Sequence, residues 1–254
     1  VGMFINRILV ISENTLSNFL KMPMPAVVSD TGKERIAMPE SKLLNTQAQL
    51  SLTEALRRGD LRSGQFLSMP QLVGILGYPL AAVREAVRHA GASGWLNIIP
   101  KRGVQVLEAH PETIRDTLDA RMVLDQEGAR RRIASGALEG LAVLGDSHRV
   151  MLAEAAAPDG AADLSSRAIG VDLSLHDYLA GGLDNPFLRA AYEANRVRMA
   201  IFQRVRPFVQ ERIKSAMQEH LAIIDALERR DSAAAVAAVA YHCDRTRHWW
   251  GVAA

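Results

Sequence analysis

The stretch that decides the fold is residues 79–107, which read PLAAVREAVRHAGASGWLNIIPKRGVQVL. Its first half predicts a helix, because proline suits a first turn and apolar residues recur on one face. Those apolar residues are Leu80, Val83, Ala86 and Val87. The second half predicts two short strands, 95–99 and 104–107, joined by a turn at 100–103. This region therefore combines a helix with a small hairpin that follows it directly.

Two further helices are predicted upstream of this stretch. Residues 47–58 have apolar residues at helical spacing and are followed by a glycine, and residues 70–76 form a shorter helix that also stops at a glycine. Three helices followed by a hairpin is the order of a winged helix-turn-helix, so we assign this DNA-binding fold to residues 47–108. Residues 1–46 show no sustained periodicity and are expected to form a loosely ordered N-terminal arm.

Downstream of the hairpin, residues 109–254 are expected to form an all-α antiparallel bundle of about six helices. Proline, glycine and polar turns separate the candidate helices, which are 111–134, 136–156, 161–181, 186–206, 208–229 and 231–250. Aromatic residues make up only 5% of the chain, and alanine is frequent in this half. Small contact residues suit helix-on-helix packing better than a β-sandwich, so the fold class is mostly α.

Composition excludes several classes of protein. Hydrophobic residues make up 48% and charged residues 23%, which excludes a disordered tail or a fibre. The single cysteine, Cys243, excludes a disulfide framework, and the first apolar stretch, 3–11, is too short and polar for a membrane span or a secretory signal. We therefore expect a cytoplasmic protein with no membrane partner.

The positive charge is concentrated where a DNA-binding module needs it. The formal net charge is only +2, but residues 47–108 hold seven Lys or Arg against four acidic residues, whereas residues 109–254 hold eighteen against twenty. Neutralisation of phosphates supplies most non-specific affinity for DNA. The excess is modest and supports the winged-helix assignment without proving it.

Four polar residues of the helical half could hold a metal ion. Asp172 and His176 are four residues apart, so on a helix they project from one face about one turn apart. His220 and His242 lie midway along the last two predicted helices, and facing helices can bring such groups together. Three imidazoles and one carboxylate would suit zinc, nickel, manganese or iron. The alternative is that the histidines are separately partnered core or surface residues and that Asp172 is a helix cap or half of a surface ion pair.

These features together resemble the GntR family of bacterial transcription regulators. The segments that carry the resemblance are Arg-Glu-Ala at 84–86, the hairpin 101–106, the Asp172/His176 pair, Glu219-His220 and His242. Within the family they resemble the FadR-type branch, whose C-terminal effector domain is called FCD. The resemblance covers residues 47 to 250. It implies a homodimeric regulator that binds a double-stranded DNA operator and holds a divalent metal, with a small carboxylate effector bound at or beside it.

The resemblance also assigns roles to individual residues of the helical half. Asp172, His176, His220 and His242 match the four metal-ligand positions of the family. Arg121 matches an arginine of the first effector-domain helix that faces the pocket, where a guanidinium could bind a carboxylate in bidentate fashion. The alternative for Arg121 is a helix-surface pair with the residue four positions later, Asp125.

The DNA-reading segment departs from the family pattern. The Ser-Arg-Thr-type run that usually opens the recognition helix is replaced by Tyr-Pro-Leu-Ala-Ala at 78–82, so its hydroxyls and first arginine are absent. This puts specific recognition of guanine in doubt, because arginine is its commonest reader. The remaining DNA-binding candidates are Arg84 on the recognition helix, Lys101, Arg102 and Gly103 at the hairpin tip, and Arg57 and Arg58, which would meet phosphates.

The sequence thus predicts a transcription regulator, more specifically a repressor controlled by a metabolite, and not an enzyme. No Gly-rich phosphate loop, His-Glu-x-x-His motif or nucleophile elbow is present. Two alternatives stay open. One is a metal-dependent enzyme in a helical bundle, and the other is a degenerate family member that dimerises without specific DNA binding.

Overall fold

A computed structural model describes residues 40–157, 163–206 and 208–253. The first module contains three helices and three short strands in the order of a winged helix-turn-helix, which confirms the predicted fold. Its elements are α1 (Glu40–Arg58), β1 (Phe66–Leu67), α2 (Met69–Leu76), α3 (Leu80–Ala92), β2 (Leu96–Ile99) and β3 (Gly103–Val106). Helix α1 begins at Glu40, so the last part of the predicted arm is helical; the rest of the arm, 1–39, lies outside the described residues.

The wing is a three-stranded antiparallel sheet with the strand order β1-β3-β2. Residues 96–99 pair with 103–106, as the predicted hairpin required, and Phe66 and Leu67 add a short third strand. Gly103 allows this arrangement, because its φ is 136° and a Cβ at that position would lie 2.2 Å from the carbonyl oxygen of Leu67. The two-residue strand β1 was not predicted, since two residues show no periodicity.

The second part of the chain is all helical, and its six described helices confirm the predicted bundle. They are α4 (Pro111–Ser135), α5 (Leu141–Ala156), α6 (Leu164–Ala180), α7 (Pro186–Gln203), α8 (Gln210–Glu228) and α9 (Ser232–Trp249). The predicted ends were right where the chain has clear caps: α4 stops at a left-handed Gly136, and α7 starts with the Asn185 side chain accepting from two backbone amides. Among the described residues, no helix combines the length and apolar character that crossing a membrane would require.

Helix α7 joins the two modules. Its buried residues Val197, Ile201 and Phe202 belong to the same hydrophobic core as the winged helix. Polar contacts add to this packing: the Trp95 indole donates to the carbonyl oxygen of Ala194 at 2.9 Å. Because the core is shared, a shift of α7 changes the packing of the DNA-binding module.

A close approach of α4 and α6 places the polar side chains of the bundle. Gly128 of α4 lies against the backbone of α6, where a Cβ at this position would be 2.2 Å from the carbonyl oxygen of Leu179. One turn before these residues on the same two helices are Asp125 and His176, which are thereby brought into contact. The absent side chain of Gly128 is thus a condition for the geometry of the site.

We predict that Gly128→Ala destabilises the protein by about 2 to 3 kcal/mol, because the methyl group forces α4 away from α6. Gly170→Ala is the matched control, since Gly170 is also in a helix and a Cβ there meets nothing within 4 Å. This control should be neutral or stabilise by up to about 1 kcal/mol. Urea unfolding of both variants measures the difference, and equal stabilities would contradict the proposed close contact.

Candidate metal centre

The four predicted ligands come together inside the helical bundle. Asp172 and His176 lie one turn apart on α6, His220 is on α8 and His242 is on α9. Each offers one ligand atom, and these atoms all lie within 4.8 Å of one another. All four side chains are buried, none more than 5% exposed. Residues separated by up to 70 positions in sequence therefore form one compact polar cluster.

The orientation of His242 is fixed from its outer side. Its Nδ1 lies 2.8 Å from Oε2 of Glu219, a carboxylate that also accepts from Arg212 at 2.7 and 2.9 Å. A carboxylate held by an arginine accepts hydrogen bonds, so Nδ1 of His242 carries the proton. In the neutral imidazole, which is the form that binds a metal, the lone pair is then on Nε2, the nitrogen that faces the cluster.

His220 is oriented by a fourth histidine that the sequence did not single out. His148 is fully buried on α5, and its Nδ1 lies 2.8 Å from the carbonyl oxygen of Leu144, which can only accept. Nδ1 of His148 therefore donates, and its Nε2 accepts from Nδ1 of His220 at 3.2 Å. These two successive hydrogen bonds leave a lone pair on Nε2 of His220, which faces the cluster.

His176 completes the set. Its Nδ1 lies 2.6 Å from Oδ2 of Asp125 and 3.1 Å from Nε of Arg121, whose N–H points at it, so two groups hold this ring from its outer side. Among the described residues, no group hydrogen-bonds to this buried Nε2. A buried nitrogen without a partner is costly, and here it belongs to a side chain whose other nitrogen is well held.

This arrangement fits a divalent cation. Nε2 of His220 and Nε2 of His242 are 3.3 Å apart, and both carry lone pairs, so neither can donate to the other. Oδ1 of Asp172 lies 3.6 Å from Nε2 of His220 and adds a negative oxygen. Three imidazole nitrogens and one carboxylate form a common donor set for zinc and related metals.

The protonation states agree with this donor set. Burial drives the pKa values of His176 and His220 well below their ordinary value, so both imidazoles are neutral at physiological pH. Burial alone would raise the pKa of Asp172, but the positive charge of the Arg121 guanidinium is the largest opposing cause, and this pKa lies below its usual range. Neutral imidazoles and an ionised carboxylate are the forms that bind a metal.

The sequence left two arrangements open for Arg121: it could face the pocket or pair with Asp125. In the structure Arg121 both lines the cavity beside the cluster and lies near Asp125. It is 4% exposed and lies between two carboxylates, with Nε 3.6 Å from Asp125 and Nη2 3.6 Å from Asp172. Its Nη2 is buried and makes no hydrogen bond within the described part of the chain. The pairing with Asp125 is therefore real but buried rather than on the surface, and one face of the guanidinium stays free for a further acceptor.

A small cavity adjoins the cluster, with a volume of about 20 Å³. This is room for about one water molecule. Its walls come from α4, α6, α8, the ends of α7 and α9, and the segment between α7 and α8: Arg121, Asp172, Gln203, Arg206, Phe208, Arg212, His242, Thr246 and Trp250. Gln203 also donates to Oδ2 of Asp172 at 3.0 Å, which ties the end of α7 to the cluster.

The structure places the predicted DNA-binding residues in two different settings. Arg84 is exposed on α3, and Lys101 and Arg102 are exposed at the tip of the wing. Arg57, in contrast, pairs with Glu193 of α7 at 2.9 Å, so its charge is engaged at the contact between the modules. Arg58 is exposed but lies near the carboxylates of Glu54 and Asp60, which weakens its case as a phosphate contact.

Sequence reasoning missed most of the groups that orient the ligands. His148, Arg212 and Gln203 were not considered, and Glu219 entered only as part of a family motif. Arg212 and Glu219 lie seven residues apart, about two helical turns, and this spacing by itself does not indicate an ion pair. Nothing in the sequence could have linked His148 to His220, because they lie on different helices.

We predict that Arg121→Met lowers stability by about 3 kcal/mol or more, because two buried carboxylates then lose their shared cation. Arg131→Met is the control on the same helix, since Arg131 pairs with the half-exposed Glu127 and should cost only about 0.5 kcal/mol. Urea unfolding in the presence of a chelator gives both values. A loss no larger than that of the control would contradict the role of Arg121.

Comparison with known proteins agrees with this architecture. The chain matches the FCD domain family over residues 116–245. One similar solved structure is E. coli McbR/YncC, with 18% sequence identity and a TM-score of 0.67, covering 82% of this chain and 97% of the other. Another is a putative transcriptional regulator GntR from Rhodococcus sp. RHA1, with 20% sequence identity and a TM-score of 0.63, covering 81% of this chain and 96% of the other. At these identities the two structures support the fold. No curated protein sequence matches the chain significantly. The family match covers just over half of the residues and follows a winged helix-turn-helix, so the chain belongs to the FCD-containing branch of the GntR family of transcription regulators.

Proposed function

We propose that this protein is a metal-containing repressor whose affinity for its operator is controlled by a small carboxylate. The observation that carries the proposal is the convergence of Asp172, His176, His220 and His242, with ligand atoms within 4.8 Å of one another. Family membership supports transcription regulation and binding of operator DNA rather than enzymatic activity. It therefore weighs against the metal-dependent enzyme considered from the sequence.

The metal would be a divalent ion held by these four residues. An ion that takes five or six ligands would leave room for an anionic oxygen beside these four residues. The residues around the ligands orient the three imidazoles. Glu219 contacts His242, His148 contacts His220, and both Asp125 and Arg121 contact His176. Partners of this kind raise both metal affinity and geometric precision.

The adjoining cavity would receive the effector. Arg121 presents a buried Nη2 without a hydrogen bond, and a carboxylate oxygen is its natural acceptor. Arg206 lies in the same wall, and its Nε is also buried without a partner among the described residues. The surplus of guanidinium groups favours an anion over a neutral or cationic ligand.

The size of the cavity suggests how a ligand could change DNA binding. A volume of about 20 Å³ is too small for a carboxylate metabolite, so a wall must move when one enters. Gln203 ends α7, and Trp250 belongs to the core of the winged helix. A ligand that displaces either residue would disturb the packing between the effector domain and the DNA-binding module.

Binding to DNA is proposed to involve a homodimer. One recognition helix contacts only a few base pairs, and two of them on a near-palindromic site about one helical turn apart give the specificity of an operator. An effector that favours one arrangement of the dimer by about 1.4 kcal/mol changes operator occupancy tenfold.

We predict that His242→Ala removes the bound metal and lowers the melting temperature, because one ligand is lost from a buried site. His248→Ala on the same helix is the control, since His248 is exposed. His148→Phe should keep the ligands but weaken metal affinity about 10- to 100-fold. Elemental analysis and chelator competition measure these effects, and unchanged metal content in His242→Ala would contradict the site.

We also predict that one class of small carboxylates raises the melting temperature of the metal-loaded protein but not of the chelator-treated protein. The same compounds should release the protein from its upstream operator in a gel shift. Arg121→Lys, which keeps the charge but not the bidentate geometry, should weaken the response about tenfold or more. Tighter operator binding with the compound would make it a co-repressor rather than an inducer, and steady turnover of a compound would favour an enzyme.

A further inference from the structure

The exposed face of the recognition helix α3 is apolar where it begins. Leu80 is 42% exposed and Ala81 is exposed beside it, while Ala82 and Val83 point into the core. Ile75, at the end of α2, is also exposed, at 48%. Exposed apolar side chains at the start of a recognition helix require an explanation, since this is the part that meets base edges in a helix-turn-helix.

The first turn of α3 has no side chain that can form a hydrogen bond on this face. Pro79 caps the helix without a side-chain hydrogen bond, and neither Leu80 nor Ala81 has a polar group. The first polar side chain on the exposed face is Arg84, one turn later. Arg88, the next arginine, is paired with Glu85.

Positive charges of the same module favour DNA over an apolar protein as the partner of this surface. Arg84 is exposed on α3, and Lys101 and Arg102 are exposed at the tip of the wing. A protein-docking patch is usually depleted of charge at its centre, whereas a DNA-binding surface is rich in Arg and Lys. A DNA duplex with an apolar group in its major groove matches both features of this surface: its phosphates pair with the cations, and its apolar group contacts the apolar first turn of α3.

Only one base has such a group. Thymine exposes a C5-methyl group in the major groove, and alanine or larger apolar side chains contact it. We propose that Leu80 and Ala81 read thymine methyl groups and that Arg84 contacts a base edge or phosphate nearby. Four residues rise about 6 Å along a helix, so the thymine lies within roughly two base pairs of the Arg84 contact.

The experiment begins with selection of duplexes from a random library by the metal-loaded full-length protein. Each thymine of the enriched half-site is then replaced by uracil, which lacks only the methyl group, and dissociation constants are measured by fluorescence anisotropy. At one or two positions uracil should weaken binding about 3- to 5-fold, the effect of one buried methyl group. At the same positions, 5-methylcytosine should bind better than cytosine.

Three variants separate this proposal from a general loss of binding. At the thymine that Leu80 contacts, Leu80→Ala should bring the ratio of the dissociation constants for the uracil and thymine duplexes close to one. Leu50→Ala, which truncates an exposed leucine on α1, should leave the ratio unchanged. Arg84→Ala should weaken all operator duplexes while keeping the ratio.

The proposal is overturned if no thymine in the half-site responds to uracil, or if Leu80→Ala leaves the ratio intact. It is also overturned if selection enriches no sequence, as a member that dimerises without reading DNA would behave. A change in self-association of Leu80→Ala, without any change in the ratio, would assign the surface to protein contact. None of these outcomes depends on the effector, so the repressor proposal is tested separately.

Discussion

The burial of several titratable side chains in one helical bundle is the constraint on which the rest of the structure depends. Unpaired polar groups are costly away from water, so each imidazole of the cluster needs a partner on its outer side. A carboxylate, a second histidine and a further carboxylate provide those partners from three different helices. Their hydrogen bonds leave one nitrogen of each metal-ligand candidate facing inwards, towards the carboxylate of Asp172. A cation at that point is the simplest way to compensate the cluster, and the same helices must then pack closely enough to hold it.

Helix α7 connects this cluster to the DNA-binding module through both polar and apolar contacts. Its C-terminal residue Gln203 donates to Asp172, and the preceding Phe202 lies in the core shared with the winged helix. Earlier on the same helix, Glu193 and Ala194 contact Arg57 and Trp95. A rigid helix fixed at both ends can transmit a small displacement, because packed cores respond by discrete rearrangement rather than gradual deformation. The position of α7 therefore gives the proposed sensor a physical route to the operator.

The proposed sensing site and the proposed DNA-reading surface differ in their chemistry. The FCD domain contains the buried charged cluster, whereas the beginning of the recognition helix lacks the polar side chains of the family pattern. An apolar first turn still carries sequence information if it meets thymine methyl groups, and the exposed arginines supply affinity for phosphates. The departure at Leu80 and Ala81 is thus compatible with a DNA-binding regulator of altered specificity, without any change to the metal cluster.

The sequence by itself determined the order of the elements and the four ligand candidates. Helical spacing, caps and turn residues are local properties, so the winged helix, the six later helices and the Asp172/His176 pair could be predicted from short stretches of chain. Only the tertiary structure decided which side chains meet across helices. The partnership of His148 with His220 depends on how α5 packs against α8, and the capture of Arg57 by Glu193 depends on the contact between modules. Local patterns contain no information about such packing, because it is set by the complementary shapes of distant segments.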